Sequence, residues 1–205
     1  MADYKTIRGT ATFEYEEKRS RFIATASFAD TEEKALAVLN AVRTANRTAR
    51  HNVYAYVLQN GRTRYSDDGE PAKTAGTPVL ETIGHAGVAD VIVVVTRYFG
   101  GILLGAGGLV RAYSTAARMA VEAAGIVTYT RFDEFRLVCS YANYQRYLAE
   151  LPKFGAPVDG TDFADRVTLR FAVPAERSAA LCRRITEMSN GADVPARIGD
   201  RFDRG

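Results

Sequence analysis

A chain of 205 residues is long for one compact domain and comfortable for two small ones. Hydrophobic residues make up 47% and charged residues 25%, which excludes wholesale disorder, and the apolar runs are far too short to span a bilayer. The net charge of +3 permits contact with a polyanion without arguing for it; from Phe132 onward 11 basic residues meet 11 acidic ones, so the whole excess lies in the first 131 residues. The N-terminus lacks the apolar stretch of a signal peptide, so the reading is a soluble cytoplasmic protein with no membrane partner. Cys139 and Cys182 have no metal-ligand spacing, and each sits in an apolar segment where a free cysteine acts as a small hydrophobe.

In chain order, Tyr4–Tyr15 reads as one strand and Phe22–Phe28 as a second. Asp30 has the chemistry of a helix cap with Glu33 three residues on, and the spacing of Ala35, Leu36, Leu39 and Val42 predicts a helix to about Ala45. Val53–Leu58 alternates as a strand does, and Asn60-Gly61 signals a hairpin returning through Thr63-Arg64-Tyr65. A turn-rich loop, 66–71, leads to a short helix over Pro78–His85 with Thr77 as its cap. Asp90–Thr96 reads as a strand buried on both faces. A glycine cluster then runs into a long helix over Leu109–Ala124, ended by Gly125. Its small face, Leu109, Ala112, Ala116, Met119, Ala120 and Ala123, invites close packing.

Beyond a boundary near Val127–Phe132 the pattern changes. Strand Glu134–Cys139, helix Ala142–Leu151 capped by Ser140, a strand at Val158, strand Arg166–Val173, helix Ala175–Met188 and strand Val194–Ile198 follow one another. This β-α-β-β-α-β order is the ferredoxin-like pattern. The expected fold class is α+β, with domains over 1–130 and 131–205.

Three stretches hold the candidate chemistry. From Arg97-Tyr98-Phe99-Gly100-Gly101 to Gly107-Gly108, Leu109 and Arg111, a buried strand delivers an arginine and two aromatics to a glycine loop and a helix N-terminus. Such a start attracts anions, Arg97 and Arg111 add charge, and the aromatics suit stacking; equally, the glycines allow a tight turn. The run matches neither the phosphate-loop nor the dinucleotide fingerprint, so no cofactor is implied. Asp67, Asp68 and Glu70, with Lys73 and Thr74 just after, suit Mg2+ held through water, acid–base work, a bound arginine, or a turn bonding its own backbone. No protein-built metal site is expected, because the calcium-loop spacing is absent. Lys18, Arg19 and Arg21 beside Phe22, and Arg43, Arg47 and Arg50 before His51, suit phosphate or form a solvated face. His51, near Tyr54, is a better functional candidate than His85, and no nucleophile pattern gives either a catalytic partner.

Taken together, Lys18-Arg19-Ser20-Arg21-Phe22, His51-Asn52-Val53-Tyr54-Ala55-Tyr56, Asp67-Asp68-Gly69-Glu70-Pro71 with Thr74-Ala75-Gly76, and the Arg97–Leu109 stretch resemble the signature set of the IMPACT/YigZ family, in its order. The tail is similar to the C-terminal domain of the bacterial members. The resemblance implies a first domain like the second domain of ribosomal protein S5 and a ferredoxin-like second domain like the fifth domain of elongation factor G. It also implies a role in translation, with RNA, the ribosome or a protein as partner, and brings no catalytic residues. The expectation is therefore a binder or regulator rather than an enzyme. Arg21, Lys73, Arg97, Tyr98 and Arg111 would meet phosphate or acidic groups, and Asp67, Asp68 and Glu70 would order the loop or meet a basic partner. An enzyme acting on a nucleotide or phosphorylated small molecule and a protein–protein adaptor are the alternatives.

Overall fold

Described over residues 3–204, the computed structural model of the chain divides after Thr128 into two units with separate hydrophobic cores. In the first unit the elements are β1 (Tyr4–Ile7), β2 (Ala11–Glu17), β3 (Ser20–Phe28), α1 (Glu32–Ala45), β4 (His51–Val57), β5 (Thr63–Ser66), α2 (Gly76–Ala86), β6 (Val91–Tyr98) and α3 (Ala106–Ala124). The sheet runs β2-β3-β6-β4-β5, with every neighbouring pair antiparallel. The valine-rich centre of β6 is buried on both faces because helices cover both. Tyr54, Tyr56, Ile92 and Val94 pack under Ala35 and Leu39 of α1. Phe22, Val53, Val93 and Val95 pack under Val79 and Ile83 of α2 and the small face of α3.

Several element limits differ from the sequence reading, each for a local reason. The expected strand Tyr4–Tyr15 is two strands: Lys5 bridges to Val88, whereas β2 pairs with β3. Thr31, not Asp30, caps α1 by accepting from Lys34 N at 3.2 Å; Asp30 pairs instead with the Lys34 ammonium. Thr77 caps nothing, since α2 begins at Gly76 without a cap from a neighbouring side chain. Helix α3 starts at Ala106, three residues early. Its buried stripe includes Tyr113, Ala117 and Val121, while Met119 is only half-buried and Ala123 is exposed.

The remaining elements are β7 (Ile126–Cys139), which starts just before the division and continues into the second unit, then α4 (Tyr141–Glu150), a 3-10 turn (Leu151–Phe154), β8 (Val158–Phe163), β9 (Val167–Pro174), α5 (Ala175–Met188) and β10 (Ala196–Arg204). The residues 127–132 thus lie within one strand. The antiparallel order is β10-β7-β9-β8. Ser140 accepts from Asn143 N at 3.2 Å, as its position before α4 predicts. Cys139 is buried in this core, with Cys182 half-buried against it, and burial pushes both thiols up. No helix among the described residues is long and apolar enough to cross a membrane.

Candidate functional site

Antiparallel pairing places Phe22 of β3 and His51 of β4 on either side of Arg97 of β6. Three stretches far apart in sequence therefore meet at one end of the sheet. Alternation along β6 then sends Arg97 to the α2/α3 face, in line with Val93 and Val95, and Tyr98 to the α1 face.

Beneath the surface Arg97 is paired through its terminal nitrogens, while its buried Nε has no hydrogen-bond partner among the described residues. Its Nη1 donates to Glu70 Oε1 at 2.7 Å, with side-chain exposures of only 7% and 4%. Tyr113 of α3 donates to the same oxygen at 2.8 Å. Burial, with the Glu70 carboxylate adjacent, holds the Tyr113 phenol protonated far above its ordinary range, so it stays a donor. Phe22 lies edge-on to Tyr113 at 5.2 Å, and the guanidinium sits 5.6 Å from the Phe22 ring and 5.5 Å from the Phe99 ring.

The acidic loop closes on the protein itself. Asp67 accepts from Ala75 N and Gly76 N through Oδ1, at 3.1 and 2.7 Å, and from Lys73 N through Oδ2 at 3.0 Å. This distant carboxylate does the work of a cap for α2. Asp68 accepts from Asn52 N at 2.6 Å and from Arg43 at 3.0 Å. His51 Nδ1 donates to the Asp68 carbonyl at 2.9 Å, which fixes the tautomer, and Thr74 Oγ1 donates to the Pro71 carbonyl at 2.7 Å. Five of the six carboxylate oxygens of Asp67, Asp68 and Glu70 thus take partners within the chain. Replacing Asp67 by alanine strips three backbone donors at once. The expected cost is about 2–4 kcal/mol in urea unfolding, with Asp67→Asn costing less because Oδ1 is kept.

On the α1 face Tyr98 donates to Asn46 Oδ1 at 2.9 Å, and Arg21, paired with Glu14 at 2.7 Å, lies 5.7 Å over the Tyr98 ring. Gly100 N donates to Ser20 Oγ at 3.2 Å. Lys18 and Arg19 form the two-residue β2–β3 turn at φ 47° and 65°. With Asp68 and Lys73, they make this end of the sheet home to four of the six non-glycine residues at positive φ among the described residues, a concentration of backbone strain.

The structure thus brings together Arg21, Phe22, His51, Asp67, Asp68, Glu70, Lys73, Thr74, Arg97, Tyr98, Phe99 and Gly100, but Tyr54 lies deeper, in the core under α1. Gly101 and Gly107 are exposed on the loop and first turn of α3, and Gly108 packs against Leu104. Lys18, Gly108 and Arg111 share a small cleft of about 170 Å3 with Leu104. Ser20 and Asn52 lie within the signature motifs but carried no assigned role, Tyr113 lies four residues beyond a singled-out helix start, and Asn46 has no distinguishing mark in sequence. His85 lies elsewhere, in a groove of about 440 Å3 between α2 and α3.

Residues 18–121 match the Impact N-terminal domain, and residues 137–192 match a domain of unknown function, DUF1949. The chain is 36% identical to IMPACT family member YigZ of Escherichia coli (strain K12), over 85% of this chain and 88% of that protein. It is 32% identical to IMPACT family member YvyE of Bacillus subtilis (strain 168), over 93% of this chain and 89% of that one. A crystal structure of a hypothetical protein is 34% identical, with a TM-score of 0.66 and coverage of 97% of this chain and 98% of that one. The network from Ser20 to Tyr113 falls wholly within the first matched segment, and with relatives similar over most of its length the chain belongs to the IMPACT family.

Proposed function

We propose that the protein is a non-catalytic binder acting in translation, which meets an anionic partner, RNA, the ribosome or an associated protein, through the β6 end of its first unit. The observation that carries this reading is a division of labour among the basic residues. Arg97 is buried and paired, whereas Lys18, Arg19, Arg47, Arg50, Lys73 and Arg111 have no ion pair among the described residues. The carboxylates of Asp67, Asp68 and Glu70 are engaged by donors within the chain. A rigid scaffold presenting unpaired cations suits phosphate or acidic side chains. The finer fold reading accompanies this: an S5 domain 2-like unit over 1–130 and a ferredoxin-like unit over 131–205. The latter is supported by the β-α-β-β-α-β order and the β10-β7-β9-β8 sheet.

The test is charge reversal. Lys18→Glu combined with Arg111→Glu is expected to weaken binding to purified ribosomal particles about tenfold or more, and to flatten the salt dependence by about one unit of slope per lost contact. Arg118→Glu, on the far part of α3, serves as the control. Equal affinity and slope for the double variant and wild type would remove the assignment.

A further inference from the structure

We infer that the loop between β6 and α3 is an apolar knob that seats in a hydrophobic pocket of an acidic protein; this rests on the binding reading above and narrows the partner to one class. Of the twelve exposed large hydrophobics among the described residues, four, Phe99, Ile102, Leu103 and Val110, fall within residues 99–110. Leu103 is 81% exposed, Phe99 49% and Ile102 42%. Concentrated apolar exposure of this kind marks an interaction site.

The loop is pinned at both ends. At its start Gly100 bonds to Ser20 and presses on the backbone of Arg19, where an added Cβ would fall 2.0 Å from the carbonyl carbon. The Phe99 ring is held by the Arg97 guanidinium. At its end Leu104 packs on the core beneath α3. Gly101 and Gly105, at φ 86° and 72°, turn the chain between and after these anchors. Ile102 and Leu103 are thereby held outward before any partner arrives, which lowers the ordering cost of docking.

The chemistry of the tip separates protein from nucleic acid. Bases stack on aromatic or guanidinium faces. Ile102 and Leu103, the latter 81% exposed, offer neither, Phe99 is already held against the Arg97 guanidinium, and exposed aliphatic side chains match an apolar pocket in a folded partner. The rim sets the partner's charge. Lys18 and Arg111 share the cleft beside Leu104, and Arg19 lies beneath Gly100. The carboxylate in that cleft, Glu17, accepts from the Tyr15 phenol at 2.8 Å. A pocket bordered by Asp or Glu complements this surface.

The experiment uses the full chain and purified ribosomal particles with their associated proteins retained. A photo-cross-linking benzoylphenylalanine is placed at position 103, and Ile102→Asp/Leu103→Asp is compared with Lys18→Glu/Arg111→Glu. The expected result is a cross-link to protein, and about tenfold or greater loss of affinity in the aspartate variant with an unchanged thermal unfolding curve. A cross-link to ribosomal RNA, or full affinity of the aspartate variant while the charge-reversed one fails, overturns the knob and leaves the binding reading standing. Failure of wild type to bind the particles overturns both.

Discussion

Replacing Arg97 by methionine is expected to cost the first unit about 3–5 kcal/mol, because Glu70 is then left as a buried carboxylate without its cation. The same holds for Glu70→Leu, which strands the guanidinium and the Tyr113 hydroxyl together. The pair is 7% and 4% exposed, so solvent screens little of the loss. Arg97→Met/Glu70→Leu/Tyr113→Phe, which removes both charges and the phenol together and keeps their bulk, is expected to recover most of the stability lost by either single variant. Urea unfolding followed by circular dichroism reads this, since the chain has no tryptophan to report by fluorescence. Wild-type midpoints for both single variants would show that the pair is not the keystone of this end of the sheet.

Gly100→Ala is the second large effect. Its Cβ would fall 2.0 Å from the Arg19 carbonyl carbon and 2.1 Å from its oxygen, and backbone cannot swing aside as the end of a side chain can. Either the Lys18-Arg19 turn opens or the β6–α3 loop lifts, at a cost of about 3 kcal/mol. Binding to ribosomal particles should fall with it, because both the cationic turn and Leu103 are displaced. Gly107→Ala is the contrast: nothing lies within 4 Å of the added methyl, and alanine favours the helix, so a gain of about 0.5–1 kcal/mol is expected. Equal melting behaviour of the two variants would contradict the close approach at Gly100.

Local pattern carried much of the architecture. The five valines and isoleucines of β6 announced a strand covered on both sides, and α5 runs over Ala175–Met188, the limits expected from the sequence. Limits set by distant residues were not legible. Helix α2 starts at Gly76 because Asp67, nine residues earlier, satisfies its first donors. Asp30 and Thr31 have equal cap chemistry, and only the geometry before Lys34 selects Thr31. At the candidate site the motifs could be named, but not sorted. Arg97 and Arg111 are alike in sequence and opposite in environment. What separates them is the alternation of β6, which buries one against Glu70, and the rotation of α3, which exposes the other. Nor did composition reveal that Leu103 points out while Leu104, its neighbour, packs inward.

The most direct test is sedimentation of the full chain with purified ribosomal particles through a sucrose gradient at low and at moderate salt. The protein is expected to travel with the particles at low salt and to dissociate as salt rises, since counterion release drives the contact of its unpaired cations. A protein that remains at the top of the gradient at both salt concentrations would contradict the assignment of the β6 end as a surface for the translation machinery.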